Sequence, residues 1–236
     1  MSDGRRVLVL GANGFIGSHL AASLSREGWR VRAGARRPTE ASRRAPTFDW
    51  ISADFARLTS VEAWAPLLEG VDAVINCVGV LQDGAGDSTR LAHVEGPRAL
   101  IQACECAGVR RLIHISAVGA DDAAGTAYAR TKAETERLVE ASALDWLILR
   151  PSLVVDRAAF GGTGLIRALA AFPLFSPVVG GDQAFRPIAL GDLGAAVVAA
   201  LKPGAPSRET FDMPGPEAVT MVLAVARCCT LSPLSE

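Results

Sequence analysis

The segment at residues 7–24, VLVLGANGFIGSHLAASL, constrains the fold more than any other part of the chain. Four aliphatic residues predict a buried strand, glycines follow at Gly11, Gly14 and Gly17, and apolar residues then recur at helical spacing. Gly11 lets the chain leave the strand, Gly14 lets the main chain approach a pyrophosphate, and Gly17 lets the helix lie against the sheet. The segment therefore predicts a strand, a tight turn and a helix.

The start of this helix is a predicted phosphate site. Its first backbone N–H groups lack helical partners and lie at the positive end of the helix dipole, which favours an anion. Ile16, Leu20 and Leu24 form the stripe that packs on the sheet. The spacing GxxGxxG differs from the GxGxxG of many dinucleotide sites, so spacing alone leaves open a glycine-rich turn that binds nothing. The position between a strand and a helix favours a dinucleotide site.

Composition narrows the class of protein. The chain has 236 residues, half of them hydrophobic, which suffices for one α/β domain or a nucleotide domain with a small appendage. Its net charge of −1 predicts no nucleic-acid partner, and no apolar run reaches the ~18 residues of a membrane span. The five cysteines show no disulfide or metal spacing, so we expect reduced thiols and no metal. A soluble cytoplasmic protein without a signal peptide is expected.

Strands and helices alternate along the first two thirds of the chain. Short connections and near-continuous apolar strands are typical of a doubly wound parallel sheet with right-handed crossovers, an α/β fold. The predicted strands after the first are 29–35, 48–52, 71–77, 111–115 and 146–150, and the predicted helices include 61–68 and 89–106.

The end of the second strand bears on the choice of cofactor. In this fold it lies beside the adenosine ribose, where an acidic residue would bind the 2′-hydroxyl. Arg36 and Arg37 stand there instead, and a guanidinium suits a 2′-phosphate, so NADP is favoured over NAD. The alternative is that these arginines belong to a solvated basic loop that binds no cofactor. After the third strand, Asp54 is placed either to accept from the adenine amino group or to cap a helix.

Three polar residues form the predicted catalytic set. Ser116 follows the fifth strand, and Tyr128 and Lys132 lie four apart, on one face of a predicted helix. An ammonium beside a phenol is expected to lower the tyrosine pKa from about 10, and the serine hydroxyl can polarise the same carbonyl. An exposed Tyr–Lys pair is the alternative, although Tyr128 is the only tyrosine in the sequence.

These motifs together resemble the short-chain dehydrogenase/reductase superfamily. Within it the chain is most similar to the extended or atypical branch, which includes NmrA-like proteins, NAD-dependent epimerases/dehydratases and the NAD(P)H-binding accessory subunit of respiratory complex I. The similarity covers about residues 5–216. The segments that carry it are GANGFIG, NCVG at residues 76–79, Ser116, YARTK at residues 128–132, and residues 93–121 and 147–155.

The resemblance implies a Rossmann domain at residues 1–155. A small substrate-binding subdomain at residues 156–236 would be interleaved with it and shortened at its C-terminus. Tyr128 would donate and accept the proton, Lys132 would bind the nicotinamide ribose, and Ser116 would orient the substrate carbonyl. The implied cofactor-binding residues are Gly11, Asn13, Gly14, Phe15, Ile16, Gly17, Arg36, Arg37, Asp54, Phe55, Cys77, Val78, Gly79, Lys132 and Pro151.

Two regions depart from the family pattern or leave alternatives open. Many members carry Asn where His93 stands, so a four-residue proton relay is not carried over. His93 is either a ligand of water or backbone, or a half-buried helix residue with no task. Phe160, Phe172 and Phe175 indicate an apolar substrate pocket or, alternatively, the packed floor of a subdomain.

The sequence therefore predicts an NADP-dependent oxidoreductase that transfers hydride between nicotinamide and a carbonyl or alcohol. The alternative is a non-catalytic NADPH-binding structural, assembly or redox-sensing protein. A third reading, an epimerase or dehydratase, needs a larger substrate domain. The expected partner is a small-molecule substrate. A homodimer or a larger complex, and peripheral membrane association, stay open.

Overall fold

The computed structural model of the chain describes residues 4–84, 88–156 and 184–220. Strands and helices alternate in the predicted order, and most predicted bounds hold to within two residues. The strands are β1 Arg6–Leu10, β2 Arg30–Ala35, β3 Asp49–Ser52, β4 Ala73–Asn76, β5 Arg111–Ile115, β6 Asp145–Pro151, β7 Val154–Val155, β8 Ala184–Phe185, β9 Ile188–Ala189, β10 Glu209–Met213 and β11 Val219–Thr220. The helices are α1 Phe15–Arg26, α2 Pro38–Ser42, α3 Val61–Leu68, α4 Gly96–Ala107, α5 Ala127–Glu140 and α6 Leu190–Ala200, with a π-helical turn at Leu91–Glu95.

Seven strands form one sheet in the order β10-β6-β5-β4-β1-β2-β3. The pairings from β3 across to β6 are all parallel. The chain starts at the centre, builds outward through β2 and β3, and then crosses to the other side of β1 to form β4. This confirms the predicted doubly wound α/β sheet, and the switch of direction lies between β1 and β4, where such folds bind ligands at the carboxyl ends of the strands.

The central strands are buried on both faces. Val7, Leu8, Val9 and Leu10 of β1 are fully buried, as expected for a parallel strand covered by helices on each side. On α1, Leu20 and Leu24 are buried, whereas the predicted third member of that stripe, Ile16, stays partly exposed. A core cluster packs the sheet against the helices on one of its faces, with Leu8, Leu10, Trp64, Leu68, Leu100, Leu112, Val139 and Ile148 among its members.

The helix predicted after β4 is interrupted by the π-helical turn. In that turn the Gly96 N–H donates to the carbonyl of Leu91, five residues earlier. Pro97 has no N–H, so it cannot donate to the carbonyl four residues before it, that of His93. The Thr135 hydroxyl of α5 donates to that carbonyl instead. The wider turn therefore contains the carbonyl that would lose its hydrogen bond in a regular helix.

The chain divides into two compact units, one with residues up to Arg150 and Gly194–Asp212, the other with Pro151–Leu193 and residues from Met213 onward. In the second unit, β7 pairs with β9 in parallel and β8 pairs with β11 in antiparallel orientation. The predicted boundary near residue 155 stays a prediction.

Several predicted features lie outside the described residues. They are the aromatic segment with Phe160, Phe172 and Phe175 and the last cysteines, Cys228 and Cys229. Among the helices that the structure describes, none has the length and apolar character to cross a membrane.

Candidate active site at the carboxyl edge of the sheet

The glycine-rich turn joins β1 to α1 through contacts that leave little room for side chains. Gly11 has φ +74°, in the left-handed region that favours glycine. A Cβ placed on Gly17 would lie only 2.2 Å from the carbonyl oxygen of Gly11, and one on Gly14 would lie 3.2 Å from that oxygen. Gly17 therefore lets the first turn of α1 pack against the main chain of the preceding turn.

The start of α1 has the features of an anion site. Within the described part of the chain no side chain caps this helix, whose N-cap is Gly14, and its first turn contains no acidic residue. The positive end of the helix dipole therefore meets no carboxylate from that turn. The turn and the helix start fit the pyrophosphate of a dinucleotide.

The β4 loop, defined as residues 77–80, lies against the glycine-rich turn. A Cβ on Gly11 would lie 3.2 Å from the carbonyl carbon and oxygen of Cys77, so the two main chains touch. The Asn76 Oδ1 atom accepts a hydrogen bond of 3.1 Å from the Val78 N–H. Burial raises the pKa of the Cys77 thiol to about 12, although Lys132 opposes this shift. Cys77 is thus a neutral thiol, and Gly79 leaves the loop without a bulky side chain.

The residues predicted to bind the adenosine end lie after β2 and β3. Arg36 and Arg37 are both exposed, and the Arg37 guanidinium lies 3.8 Å from the Glu40 carboxylate. The Asp54 carboxylate accepts a 3.1 Å hydrogen bond from the Ala56 N–H. Asp54 does not cap α3, whose N-cap is Ser60, but it caps the short turn that follows it, where the Leu58 N–H donates to the Asp54 carbonyl. Its contact with adenine stays a prediction.

Two further predicted cofactor residues are buried. The Phe55 ring packs edge-on against Trp64, with ring centroids 5.6 Å apart, and a Cβ on Gly96 would lie 2.4 Å from the Phe55 Cβ. The Phe55 side chain therefore belongs to the core, which leaves its main chain as the part that a cofactor could contact. Pro151 is buried at the end of β6.

Lys132 connects α5 to the end of β5. Thr126 caps α5, so Tyr128 and Lys132 lie one turn apart near the start of that helix. Lys132 is 3% exposed, and its Nζ donates a 2.9 Å hydrogen bond to the carbonyl of Ile115, the residue before Ser116. A Cβ on Gly79 would lie 3.7 Å from the same Nζ. The amine therefore faces both β5 and the β4 loop.

The electrostatics of the predicted catalytic residues correct one expectation. Burial lowers the pKa of Lys132 to about 8, while Cys77 and Glu136 act in the opposite direction. Burial raises the pKa of Tyr128 above its usual value of 10. The predicted lowering of the tyrosine pKa by Lys132 is wrong for this structure, because the loss of solvation around the half-buried phenol shifts the pKa upward.

Ser116 presents a buried hydroxyl. Its N–H donates a 2.8 Å hydrogen bond to Leu149 and so continues the pairing between β5 and β6. Its Oγ is buried, and no hydrogen-bond partner for it occurs among residues 4–84, 88–156 and 184–220. A buried polar atom of this kind is expected to find a partner, which at this edge of the sheet would be a ligand or water.

His93 is not a half-buried helix residue without a task. It is 1% exposed; its Nε2 accepts a 3.0 Å hydrogen bond from the Val80 N–H, and its Nδ1 lies 2.8 Å from the Thr131 hydroxyl. Its ring meets the ring of Tyr128 edge-on, with centroids 5.4 Å apart. The structure shows the other alternative, in which His93 binds a backbone group, the N–H of Val80.

Sequence reasoning missed two partners of this site. Thr131 lies between Tyr128 and Lys132 in the predicted motif, so the sequence could have indicated that it lies near the site. His114 is buried on β5, and its Nδ1 lies 3.3 Å from the Asn76 amide nitrogen, an adjacency that only the strand pairing reveals.

Comparisons with known proteins agree with this geometry. A family model described as NAD(P)H-binding matches residues 11–174. Ceramide reductase from Caulobacter vibrioides is 28% identical over 200 residues, covering 84% of this chain and 62% of that protein. The mitochondrial NADH dehydrogenase (ubiquinone) 1 alpha subcomplex subunit 9 of Arabidopsis thaliana is 27% identical over 225 residues, covering 90% of this chain and 54% of that protein. The chain thus spans less than two thirds of the length of either relative.

The solved structure of UDP-glucuronic acid 4-epimerase from Bacillus cereus in complex with NAD superposes with a TM-score of 0.78 at 23% identity, covering 98% of this chain and 85% of that one. At this identity the superposition shows a shared fold. From the family match, the chain belongs to the NAD(P)H-binding family, in agreement with its resemblance to the short-chain dehydrogenase/reductase superfamily.

Proposed function

We propose that the chain is an NADP-dependent oxidoreductase that transfers hydride between the nicotinamide and a carbonyl or alcohol substrate. The observation that carries the proposal is the arrangement at the end of β5. There the buried Ser116 hydroxyl, which has no partner among the described residues, follows the carbonyl that Lys132 binds. A protein that only held a dinucleotide would need the glycine-rich turn but not this polar arrangement.

The chain has residues that could bind each part of the cofactor NADPH. Gly11, Gly14 and the start of α1 would hold the pyrophosphate, and Lys132 would hold the nicotinamide ribose. Arg36 would contact a 2′-phosphate, since a guanidinium pairs with phosphate more readily than with a hydroxyl. When bound, NADPH supplies the hydride.

The chain's own residues would orient the substrate and handle the proton. Ser116 Oγ would donate a hydrogen bond to the substrate carbonyl oxygen, and Tyr128 would give that oxygen its proton. Because burial raises the pKa of Tyr128, its phenol is protonated at neutral pH and suited to act as an acid. We expect carbonyl reduction to proceed at neutral pH and alcohol oxidation, which needs the phenolate, to accelerate as the pH rises.

A second candidate is a protein that binds NADPH without turnover. Similarity to a subunit of mitochondrial NADH dehydrogenase over 90% of this chain favours it. Such a protein would bind the cofactor normally and show no dependence on Tyr128. The cytoplasmic compartment, the apolar character of the substrate and the pairing of subunits stay predictions.

The test is a fluorescence titration with NADPH and NADH, followed by a panel of carbonyl substrates. Tyr128→Phe should lose on the order of a hundred- to ten-thousand-fold in kcat, the range of general acid catalysis, and keep its affinity for NADPH within about twofold. Cofactor binding without turnover that depends on Tyr128 favours the second candidate. If the chain binds neither NADPH nor NADH, both candidate functions are ruled out.

A further inference from the structure

His93 joins two parts of the site that lie on different elements. Val80 ends the β4 loop, and Thr131 lies on α5 beside Lys132 and one turn from Tyr128. The imidazole spans the distance between them: its Nε2 accepts a hydrogen bond from Val80, and its Nδ1 is bonded to the Thr131 hydroxyl. A Cβ on Gly79 would also lie 3.7 Å from His93 Nε2, so the ring rests directly against the loop.

The donors around the ring fix its tautomer. A backbone N–H can only donate, so the bond from Val80 makes Nε2 the acceptor. The neutral ring then carries its proton on Nδ1 and donates it to the Thr131 hydroxyl. The Thr131 hydroxyl lies 2.8 Å from the carbonyl of Ala127 and 3.1 Å from that of Tyr128, so its own proton goes to the backbone of α5. All the bonds in this series run in one direction, from the loop to the helix.

The backbone of His93 is also held in place. Because Pro97 cannot donate to the His93 carbonyl, Thr135 of α5 reaches that carbonyl with its hydroxyl. His93 in the π-helical turn thus takes part in two hydrogen bonds with α5, one through its side chain and one through its main chain. π-helical turns of this kind occur often at functional sites.

The groups that face the ring favour its neutral form. Lys132 of α5 carries positive charge, His114 lies on β5, and Asp83 after β4 is the acidic group that opposes them. Burial and Lys132 together lower the pKa of His93 to about 3. A proton on Nε2 would, in addition, clash with the Val80 N–H.

We propose that His93 is a positioning residue, a neutral imidazole that fastens the β4 loop to α5 and so sets where Tyr128 and Lys132 lie relative to the cofactor. The cofactor part of this inference rests on the proposed function, since it assumes that the loop contacts NADPH. The link between the β4 loop and α5 through His93 does not depend on the cofactor. We call the series Val80, His93, Thr131 the histidine brace.

The first experiment is ¹⁵N NMR of histidine-labelled protein without cofactor. The chain has three histidines, and His93→Gln identifies the signal of His93. We expect a ring with the proton on Nδ1 that does not titrate between about pH 5 and 8. His114 gives an internal contrast: Asn76 Oδ1 is taken by Val78, so the Asn76 amide donates to His114 Nδ1, and the proton lies on Nε2. A His93 ring that carries its proton on Nε2, or that titrates in this range, overturns the brace.

The second experiment compares Thr131→Val with Thr131→Ser. Valine removes the acceptor of the Nδ1 proton at nearly constant volume, and serine keeps the hydroxyl. We expect Thr131→Val to weaken NADPH binding about tenfold, the effect of one lost buried hydrogen bond, and to disturb the His93 ring signals. Thr131→Ser should stay within about twofold of the wild type. Equal affinities for the two variants contradict the positioning role.

The two experiments separate the failure of this inference from the failure of the proposed function. A wild-type chain that binds neither cofactor overturns the proposed function and the cofactor part of the inference, while the NMR experiment still decides on the brace. A wild-type chain that binds NADPH, with a His93 ring that titrates, overturns the brace alone.

Discussion

The Nζ of Lys132 donates a 2.9 Å hydrogen bond to the carbonyl of Ile115, so a charged amine is anchored at the end of β5. This bond satisfies one of the three donors of the ammonium, and the amine also faces the β4 loop at Gly79. Buried amines are costly unless paired, which is why the pKa of Lys132 lies near 8 rather than at its usual 10.5. The amine is still mostly charged at neutral pH.

The pKa of Lys132 can be measured directly because the sequence has only one other lysine, Lys202. In a Lys202→Arg chain produced with ¹³C-labelled lysine, the NMR signal of the ε-carbon comes from residue 132 alone. We expect a midpoint at about 8, as burial dictates. A midpoint close to 10.5 would mean that the amine is solvated and not bound to Ile115.

Gly17 should not tolerate a side chain. In Gly17→Ala the new Cβ would lie 2.2 Å from the Gly11 carbonyl oxygen. That oxygen belongs to the main chain and the backbone fixes the position of the Cβ, so the turn itself must shift. We expect a loss of about 1–3 kcal/mol in the free energy of unfolding and a marked loss of NADPH affinity. Gly125→Ala is the matched control, because no heavy atom lies within 4 Å of its added Cβ. Urea denaturation and cofactor titration of both variants test this, and equal effects would contradict it.

The preference between the two cofactors depends on Arg36. Arg36→Ala should weaken NADPH binding by about tenfold and leave NADH nearly unchanged, because only NADPH carries the 2′-phosphate. Arg137→Ala serves as control, since that arginine is exposed on α5 and pairs with Asp122. Parallel titrations with the two cofactors provide the measurement. An equal loss for both removes the assignment of NADP.

The strands and most helices could be predicted because their buried faces produce a regular spacing of apolar residues in the sequence. The predicted bounds of β5 and α3 agree with Arg111–Ile115 and Val61–Leu68. The π-helical turn could not be read from periodicity, since one added residue barely shifts an apolar stripe over so few positions. Pro97 was a local signal, but what replaces its missing hydrogen bond comes from α5, far along the chain.

The charge states of the side chains in the candidate site were harder to predict than which residues belong to it. The spacing of Tyr128 and Lys132 predicts a cation near the phenol but not how deeply either group is buried. Burial decides the direction of the shift in the tyrosine pKa. His93 presents the same difficulty. Its partners Val80 and Thr131 lie on other elements, so the sequence could name a backbone contact only as an alternative.

The buried neutral state of His93 makes the stability of the fold depend on pH. The pKa of His93 is about 3 in the folded chain and near 6.5 in the unfolded chain, so the unfolded chain binds the additional proton between these values. Stability from this residue is therefore complete above about pH 6.5 and falls as the pH drops toward 3, by up to about 1.4 kcal/mol per pH unit. His93→Gln removes this contribution. We expect the variant to be less stable than the wild type at pH 7 and the difference to shrink on acidification, as measured by urea denaturation at several pH values. A difference that stays constant from about pH 7 to 4 would falsify the neutral buried imidazole.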